Sequence, residues 1–281
     1  MPKQSPLVSI ITPSYNQAQF LPETLRSVAM QDYVNLEHIV LDGGSTDGSV
    51  AILEEFARDH PISWESKADA GQANAIRQGI ERARGDVVAW LNSDDVYLDA
   101  SVISDVVRAF AGGADIVTGS GWFIDAAGNQ LNRILVRPRD LTHASLRWVD
   151  AVLQPATFVR RDLLLRMPLD ETLHFAFDWD LFIRLSASSR FTLIDREIAG
   201  YRLHGAGKTE SGGVRRQVEL LRVIRRYHGR RSRAYAQLLP IVALHRLGAR
   251  LPFGLHRIAA AGLDRYAQLT QRMLPGKGIQ N

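Results

Sequence analysis

Leu7 to Thr12 is a short, β-branched apolar run that stops at Pro13, a residue that cannot continue a central strand, so it reads as a buried first strand. From about Pro22 the period changes: Leu25, Val28 and Ala29 share one helical face, and a second apolar run follows at His38 to Leu41. Gly43-Gly44-Ser45-Thr46-Asp47 interrupts that run, and Ser45 or Thr46 is placed to cap a helix carrying Val50, Leu53 and Phe56. The alternation then repeats, with a short strand at Ile62 to Glu65, a helix over Ala73 to Arg84 and a buried strand at Asp86 to Leu91. Strands separated by helices of this length predict an α/β fold, a mostly parallel central sheet flanked by helices with right-handed crossovers. Ligands of such sheets bind beyond the carboxyl ends of the strands. Here those ends are Pro13 to Asn16, Asp42 to Asp47 and Asn92 to Asp95, all rich in polar residues.

The segment from Asp115 to Phe158 is less regular, with strands expected near Ile116 to Thr118 and Thr157 to Val159. Its aromatics Trp122, Phe123 and Trp148 suit either an acceptor platform or ordinary packing. Asp178 to Ala187 reads as a helix, and Thr192 to Asp195 with Ile198 to Leu203 as a closing strand pair. From Gly212 the composition shifts: Val214, Val218, Leu221 and Ile224 recur at helical spacing with Arg216, Arg222 and Arg226 between them. The chain thus divides into a body, 1–211, and a basic amphipathic helical extension, 212–281.

With 281 residues and 46% hydrophobic composition the chain can bury a substantial core. It has no cysteine, which excludes disulfides and thiolate metal sites, so any metal sits on oxygen or imidazole. The first residues lack the apolar core of a signal peptide, and no apolar stretch reaches the roughly 18 to 20 residues of a spanning helix; a cytoplasmic location is expected. The net charge of +4 conceals a split: residues 215–281 hold 14 Lys/Arg against 2 Asp/Glu, leaving 20 against 28 for the rest. A tail of that sign calls for an anionic partner, and a peripheral position on the inner face of a membrane is the expectation for it. No nucleic-acid motif accompanies the charge, and no nucleic-acid partner is expected.

The sharpest local feature is Leu91-Asn92-Ser93-Asp94-Asp95, an acidic pair just past a buried strand. Adjacent carboxylates repel unless a cation or solvent compensates them, and oxygen ligands suit Mg²⁺ or Mn²⁺ shared with substrate phosphates. Three further segments precede it in order: Ile11-Thr12-Pro13-Ser14-Tyr15-Asn16, Leu41-Asp42-Gly43-Gly44-Ser45-Thr46-Asp47 and Asp69-Ala70-Gly71-Gln72-Ala73-Asn74-Ala75. Two more follow, Phe177-Asp178-Trp179-Asp180 and Tyr201-Arg202-Leu203-His204. In this set and order the chain resembles the inverting glycosyltransferases of family 2, over roughly residues 7 to 210.

That resemblance implies a GT-A fold, the nucleotide-diphospho-sugar transferase architecture, and a nucleoside-diphosphate sugar as donor, whether a UDP, dTDP or GDP sugar. Pro13, Tyr15, Asn16, Asp42, Asp69 and Asn74 would bind it, with Tyr15 near the base and Asp42 accepting a hydrogen bond. Asp95 would ligate the cation, with His204 assisting, and Asp94 would hold the donor's sugar or ribose. Asp178 matches the family's catalytic base, and an inverting displacement needs only that one carboxylate. Trp148, Gln154 and Trp179 fall on the acceptor side, where a saccharide or lipid-linked saccharide of cell-surface polysaccharide or glycolipid synthesis would bind. The chain departs from many relatives at Gly43 and at Phe177, where an acidic residue is common. The Gln-x-x-Arg-Trp signature of processive synthases is missing, because Ala144 stands where Gln would precede Arg147-Trp148, so transfer of a single sugar is expected.

Two other functions compete. A nucleotidyltransferase of related fold would carry a Gly-rich phosphate loop after the first strand, where this chain has Pro13-Ser14-Tyr15-Asn16. A non-catalytic sugar-binding module would have lost acids that this chain keeps at Asp95 and Asp178.

Overall fold

The computed structural model describes residues 5–205, 207–208 and 212–229. Its strands are β1 (Val8–Ser14), β2 (Leu36–Asp42), β3 (Ile62–Ser66), β4 (Val87–Trp90), β5 (Val96–Tyr97), β6 (Ile116–Ile124), β7 (Gln130–Ile134), β8 (Thr157–Arg160) and β9 (Phe191–Arg202). The helices are α1 (Leu21–Ala29), α2 (Ser49–Asp59), α3 (Gln72–Arg82), α4 (Val102–Ala111), α5 (His143–Leu146), α6 (Arg161–Arg166), α7 (Phe177–Ser186) and α8 (Gly213–His228). All described strands join one sheet in the order β3-β2-β1-β4-β8-β6-β9-β5, with β7 added on β6.

The N-terminal half of that sheet, β3-β2-β1-β4, is parallel, as the strand–helix alternation requires. Beyond β4 the direction reverses: β8 is antiparallel to both β4 and β6, and only the β6–β9 pair is again parallel. The sheet is therefore mixed, where the alternation pattern had pointed to a mostly parallel one. That pattern extends only through β4; in the second half helices still separate β5 from β6 and β8 from β9, but β8 enters the sheet between β4 and β6 in the opposite direction.

β1 is buried along its whole length and continues one residue past Pro13. Val8 N–H donates to the Asn35 carbonyl and Gly43 N–H to that of Ser14, whereas Leu91 N–H donates to the Ile11 carbonyl. Pro13 therefore faces the β4 side, beyond the last β1–β4 pair at Ile11 and Trp90, so its missing N–H breaks no ladder bond. On that strand α3 is seated through Gly79, where a Cβ would stand 2.5 Å from Cγ2 of Ile11. β9 is one strand, not the expected pair. It carries extra residues between its pairings to Thr118 and Ser120, so polar Asp195-Arg196 bulges out without ending the strand.

The helix after β2 begins at Ser49, three residues later than a cap at Ser45 would set it. Asp47 Oδ1 accepts from the Ser49 N–H and hydroxyl, while Ser45 and Thr46 bind across the site instead. α8 packs on the body: Leu220, Leu221, Val223 and Ile224 are buried, and three of them join the main core. Residues 214–228 therefore do not offer their apolar side to a lipid surface. Helical spacing of apolar residues is identical for a lipid and a protein neighbour, so the pattern alone could not separate them. Their outward face keeps Arg215, Arg222 and Arg225 exposed. The expected amphipathic stretches Leu238 to Leu251 and Leu255 to Leu269, like Met1 to Gln4, lie outside the described residues. No described helix is long and apolar enough to cross a membrane.

Candidate active site

The carboxyl ends of β1 and β2 turn outward side by side and are tied together by side chains. Asp42, 2% exposed, accepts from the Gly44 and Ser45 N–H groups and from the Ser45 and Ser66 hydroxyls. Three of these bonds fall on Oδ2 and one on Oδ1, so Asp42 shapes the Gly43–Ser45 turn. Asn16 adopts the left-handed conformation at φ 50°, which asparagine tolerates, and crosses to the other loop. Its N–H donates to Ser45 Oγ at 2.7 Å, and its Oδ1 accepts from Thr46 N–H at 2.9 Å.

Gly43 lets the walls of the pocket approach. A Cβ there would lie 3.2 Å from the Tyr15 ring and 3.3 Å from an Asp69 oxygen, so the acid common in relatives would wedge between them. Tyr15 is 62% exposed on this rim, a ring face left open beside a carboxylate. Pro13 is buried beneath it and Asp69 binds the Gly71 N–H at 2.7 Å. Asn74 does not join this group: its amide donates to Glu171 and accepts from Gln78, both on the outer side of α3.

The acidic pair after β4 is held from three directions. Thr24 Oγ1 donates to the Asp95 carbonyl, Arg202 Nε to the Asp94 carbonyl, and the Arg202 N–H to Asp95 Oδ1 at 3.0 Å. Arg202, itself 2% exposed, continues to Glu23 and to the carbonyls of Asp125 and Ala126. Asp95 also accepts from Asn92 Nδ2, and burial together with the Asp94 charge holds its carboxyl well above the usual range. His204 Nε2 lies 3.0 Å from Asp94 Oδ2 and not at Asp95. The partly exposed carboxylate with an imidazole beside it is thus Asp94, while Asp95 is enclosed at 2% exposure.

Among the described residues no three His, Asp or Glu side chains gather into a complete metal cage. Two donors, Asp94 and His204, beside the buried Asp95 carboxyl, nevertheless fit a Mg²⁺-like cation that takes its other ligands from phosphate and water. Behind the pair runs a chain of polar side chains, of which only Gln154 was expected at the site, on its acceptor side. Lys208 Nζ donates to Gln72 Oε1, Gln72 Nε2 to Asn92 Oδ1, and Asn92 Nδ2 to Gln154 Oε1. Gln154, 8% exposed, ends the chain on the Trp90 carbonyl, so it supports the acid pair from below and is not an acceptor contact.

Asp178 stands in the first turn of α7, where Oδ1 accepts from the Trp179 N–H at 2.8 Å. Burial raises its carboxyl above the ordinary range, and the charges of Lys208 and Arg216 pull it back. Lys208 is correspondingly lowered to about 8, chiefly by burial. Asp150 was overlooked in the sequence. Water reaches it, yet protein crowds it closely enough that desolvation and the Asp178 charge push its carboxyl upward, with Arg216 opposing. Its only sequence signal was its place between Trp148 and Gln154.

The four aromatic candidates for the acceptor side separate. Trp179 is 3% exposed with its indole N–H on the Leu146 carbonyl, which removes it from any acceptor surface. Trp148 is half-buried and stacks on His228 of α8 at 3.7 Å. Phe123 packs edge-on against Tyr201, and Trp122 lines a groove with Asp99 and Arg196. Asp180 is fully buried with both oxygens bonded, so it cannot replace Asp178 as a base.

Residues 9–166 match the sequence profile of Glycosyl transferase family 2. Over 101 residues the chain is 40% identical to the putative teichuronic acid biosynthesis glycosyltransferase TuaG of Bacillus subtilis, covering 34% of this chain and 39% of that one. It spans about two fifths of the length of this and the other curated relatives that it matches at close to 40% identity. Among solved structures, the mannosyltransferase PcManGT of Pyrobaculum calidifontis, in complex with GDP-Man and Mn²⁺, is similar with a TM-score of 0.64. That alignment covers 97% of this chain and 84% of that one at 20% identity. Staphylococcus aureus TarS 1-349 with UDP-GlcNAc gives 0.61, 97% and 93% at 17% identity. At such identities the likeness establishes the GT-A fold.

Proposed function

The chain belongs to glycosyltransferase family 2, and from that premise we propose that it is an inverting, cation-dependent enzyme that moves one sugar from a nucleoside-diphosphate donor to an acceptor hydroxyl. The observation that carries this reading is the presence of two carboxylate groups in unlike settings. One, Asp94 with His204, stands at the end of β4 beside the open Tyr15 rim. The other is Asp178 in the first turn of α7, with Asp150 of the segment before β8 near enough to act on its charge, among Lys208 and Arg216.

In the proposed reaction the exposed ring of Tyr15 receives the base, and Asp42 acts through the turn that it holds. Asp178 takes the proton from the acceptor hydroxyl as that oxygen bonds to the anomeric carbon. The bond from that carbon to the diphosphate oxygen breaks, and its electron pair leaves with the nucleoside diphosphate. Attack from the face opposite the leaving group inverts the centre without a glycosyl-enzyme intermediate. A carboxyl raised by burial suits the part, because a general base works best with a pKa near the working pH. Mg²⁺ or Mn²⁺ at Asp94 and His204, when bound, neutralises charge on the leaving diphosphate. This exchanges the roles expected for the acid pair: Asp95, enclosed and bonded to the Arg202 N–H and to Asn92, fixes the turn.

UDP, dTDP and GDP sugars are all candidate donors, a range consistent with the UDP-GlcNAc and GDP-Man named for the structural neighbours. A saccharide or lipid-linked saccharide of cell-surface polysaccharide synthesis is the proposed acceptor, in keeping with the process named for TuaG. The exposed Arg215, Arg222 and Arg225 on α8 support a peripheral site on an anionic membrane. Asp178→Asn is the test of the base. Nucleoside diphosphate release should fall by about 10² or more while donor affinity stays put; near-normal turnover would remove Asp178 from the mechanism.

A further inference from the structure

α8 lies against α7, beyond the span that matches the family profile. The N-cap of α7 is Ala176, which offers no side-chain oxygen, and the segment leading into the helix, His174 to Ala176, turns its N–H groups toward α8. Glu219 of α8 accepts all three. Its Oε1 accepts from His174 N–H at 2.9 Å, and its Oε2 from Phe175 N–H at 2.6 Å and Ala176 N–H at 3.3 Å. Only 9% of Glu219 is exposed. Three consecutive N–H groups converging on one buried carboxylate make a strong, directional anchor, and the positive end of the helix dipole adds to it.

The same helix grips the next residues of that turn. Asp180 Oδ1 accepts from Arg226 at 2.7 Å and from the Tyr227 hydroxyl at 2.8 Å, while Oδ2 accepts from Arg184 at 2.9 Å. Asp178 lies between the two grips and is bonded to the backbone of the turn through the Trp179 N–H, so where the turn goes the carboxylate goes. We propose that Glu219 is a positioning residue for Asp178, so that the first helix of the C-terminal extension sets the place of the base. The inference rests on reading Asp178 as that base. A base displaced by about 1 Å loses up to about a hundredfold in rate, whereas donor contacts on β1, β2 and β4 are untouched.

The test uses the full chain and the member of a panel of UDP, dTDP and GDP sugars that is turned over fastest with water as acceptor. Glu219→Ala should lower kcat about tenfold to a hundredfold with donor KM held within about twofold. Glu219→Gln keeps a carbonyl oxygen for two of the N–H groups and should recover to within severalfold of the parent. Val223→Ala, a buried neighbour on α8, controls for loosening of the helix and should lower the Tm without that fall in kcat. Unchanged kcat in Glu219→Ala, or an equal fall in Val223→Ala at equal Tm loss, overturns the inference. Should Glu219→Ala not fold, Glu219→Gln decides: a severalfold lower kcat at unchanged KM supports positioning, and parental kcat refutes it. Asp178→Asn, run beside them, separates the two levels. If it keeps turnover, the base reading fails; if it loses turnover while Glu219→Ala does not, only the positioning claim falls.

Discussion

His38 lies on β2 between β1 and β3, opposite Ile10 and Ile62, and is only 5% exposed. Its Nε2 sits 2.9 Å from Thr12 Oγ1, while Nδ1 has no hydrogen-bond partner. Burial therefore drives its pKa down to about 3. The folded value is below the unfolded one of about 6.5, so stability is full above pH 6.5 and is lost as pH falls toward the folded value. Between pH 7 and pH 5 the unfolded imidazole takes up most of a proton that the folded one refuses, which costs about 2 kcal/mol. That figure hardly depends on the folded value, provided it stays below about 4. Urea unfolding at the two pH values and matched ionic strength, on the parent and on His38→Gln, isolates the effect from other groups. The parent should lose about 2 kcal/mol more than the variant over this interval. Equal losses would mean that His38 is protonated inside the fold, and the reasoning from its burial would fail.

Arg226→Ala should cost about 1 to 2 kcal/mol in the same unfolding experiment, because buried Asp180 keeps Arg184 and Tyr227 while the lost guanidinium was 39% exposed and partly screened. A change within a few tenths of a kcal/mol would deny α8 its anchoring part. The intact chain should float with anionic vesicles at low salt and be released as salt rises, and a chain ending at Gly229 should float less, since it loses basic residues worth on the order of 1 kcal/mol each near an anionic surface. If neither associates with vesicles, the membrane proposal is wrong.

The first half of the molecule was legible because its information is local. Each strand end and the loop that follows it are contiguous, so Pro13-Ser14-Tyr15-Asn16, Asp42 to Asp47 and Asn92 to Asp95 could be placed at one rim from strand–helix alternation alone. What escaped depends on contacts between distant segments. Adjacent Asp94 and Asp95 differ in fate because Arg202, from the last strand, encloses one and His204 pairs with the other. Trp179 looked like an acceptor contact beside Asp178, but helical geometry turns it into the core toward Leu146. Glu219 reads as one acid in a basic amphipathic helix, and only the docking of α8 gives it three backbone donors. The bulged β9 appeared as two strands because polar residues interrupt a run that the sheet in fact carries through.

The central claim is a cation-dependent nucleoside-diphosphate site at the rim formed by Tyr15, Asp69, Asp94 and His204. Thermal unfolding of the parent and of Asp94→Asn with UDP, dTDP and GDP, each in Mn²⁺ and in excess chelator, tests it directly. At a ligand concentration of about 100 times Kd, binding to the native state alone adds about 2.7 kcal/mol, or a Tm rise of about 5 °C. The account predicts that rise for at least one nucleotide in Mn²⁺, its disappearance with chelator and its loss in Asp94→Asn. A parent that no nucleotide stabilises, or one stabilised equally with and without the cation, would contradict it.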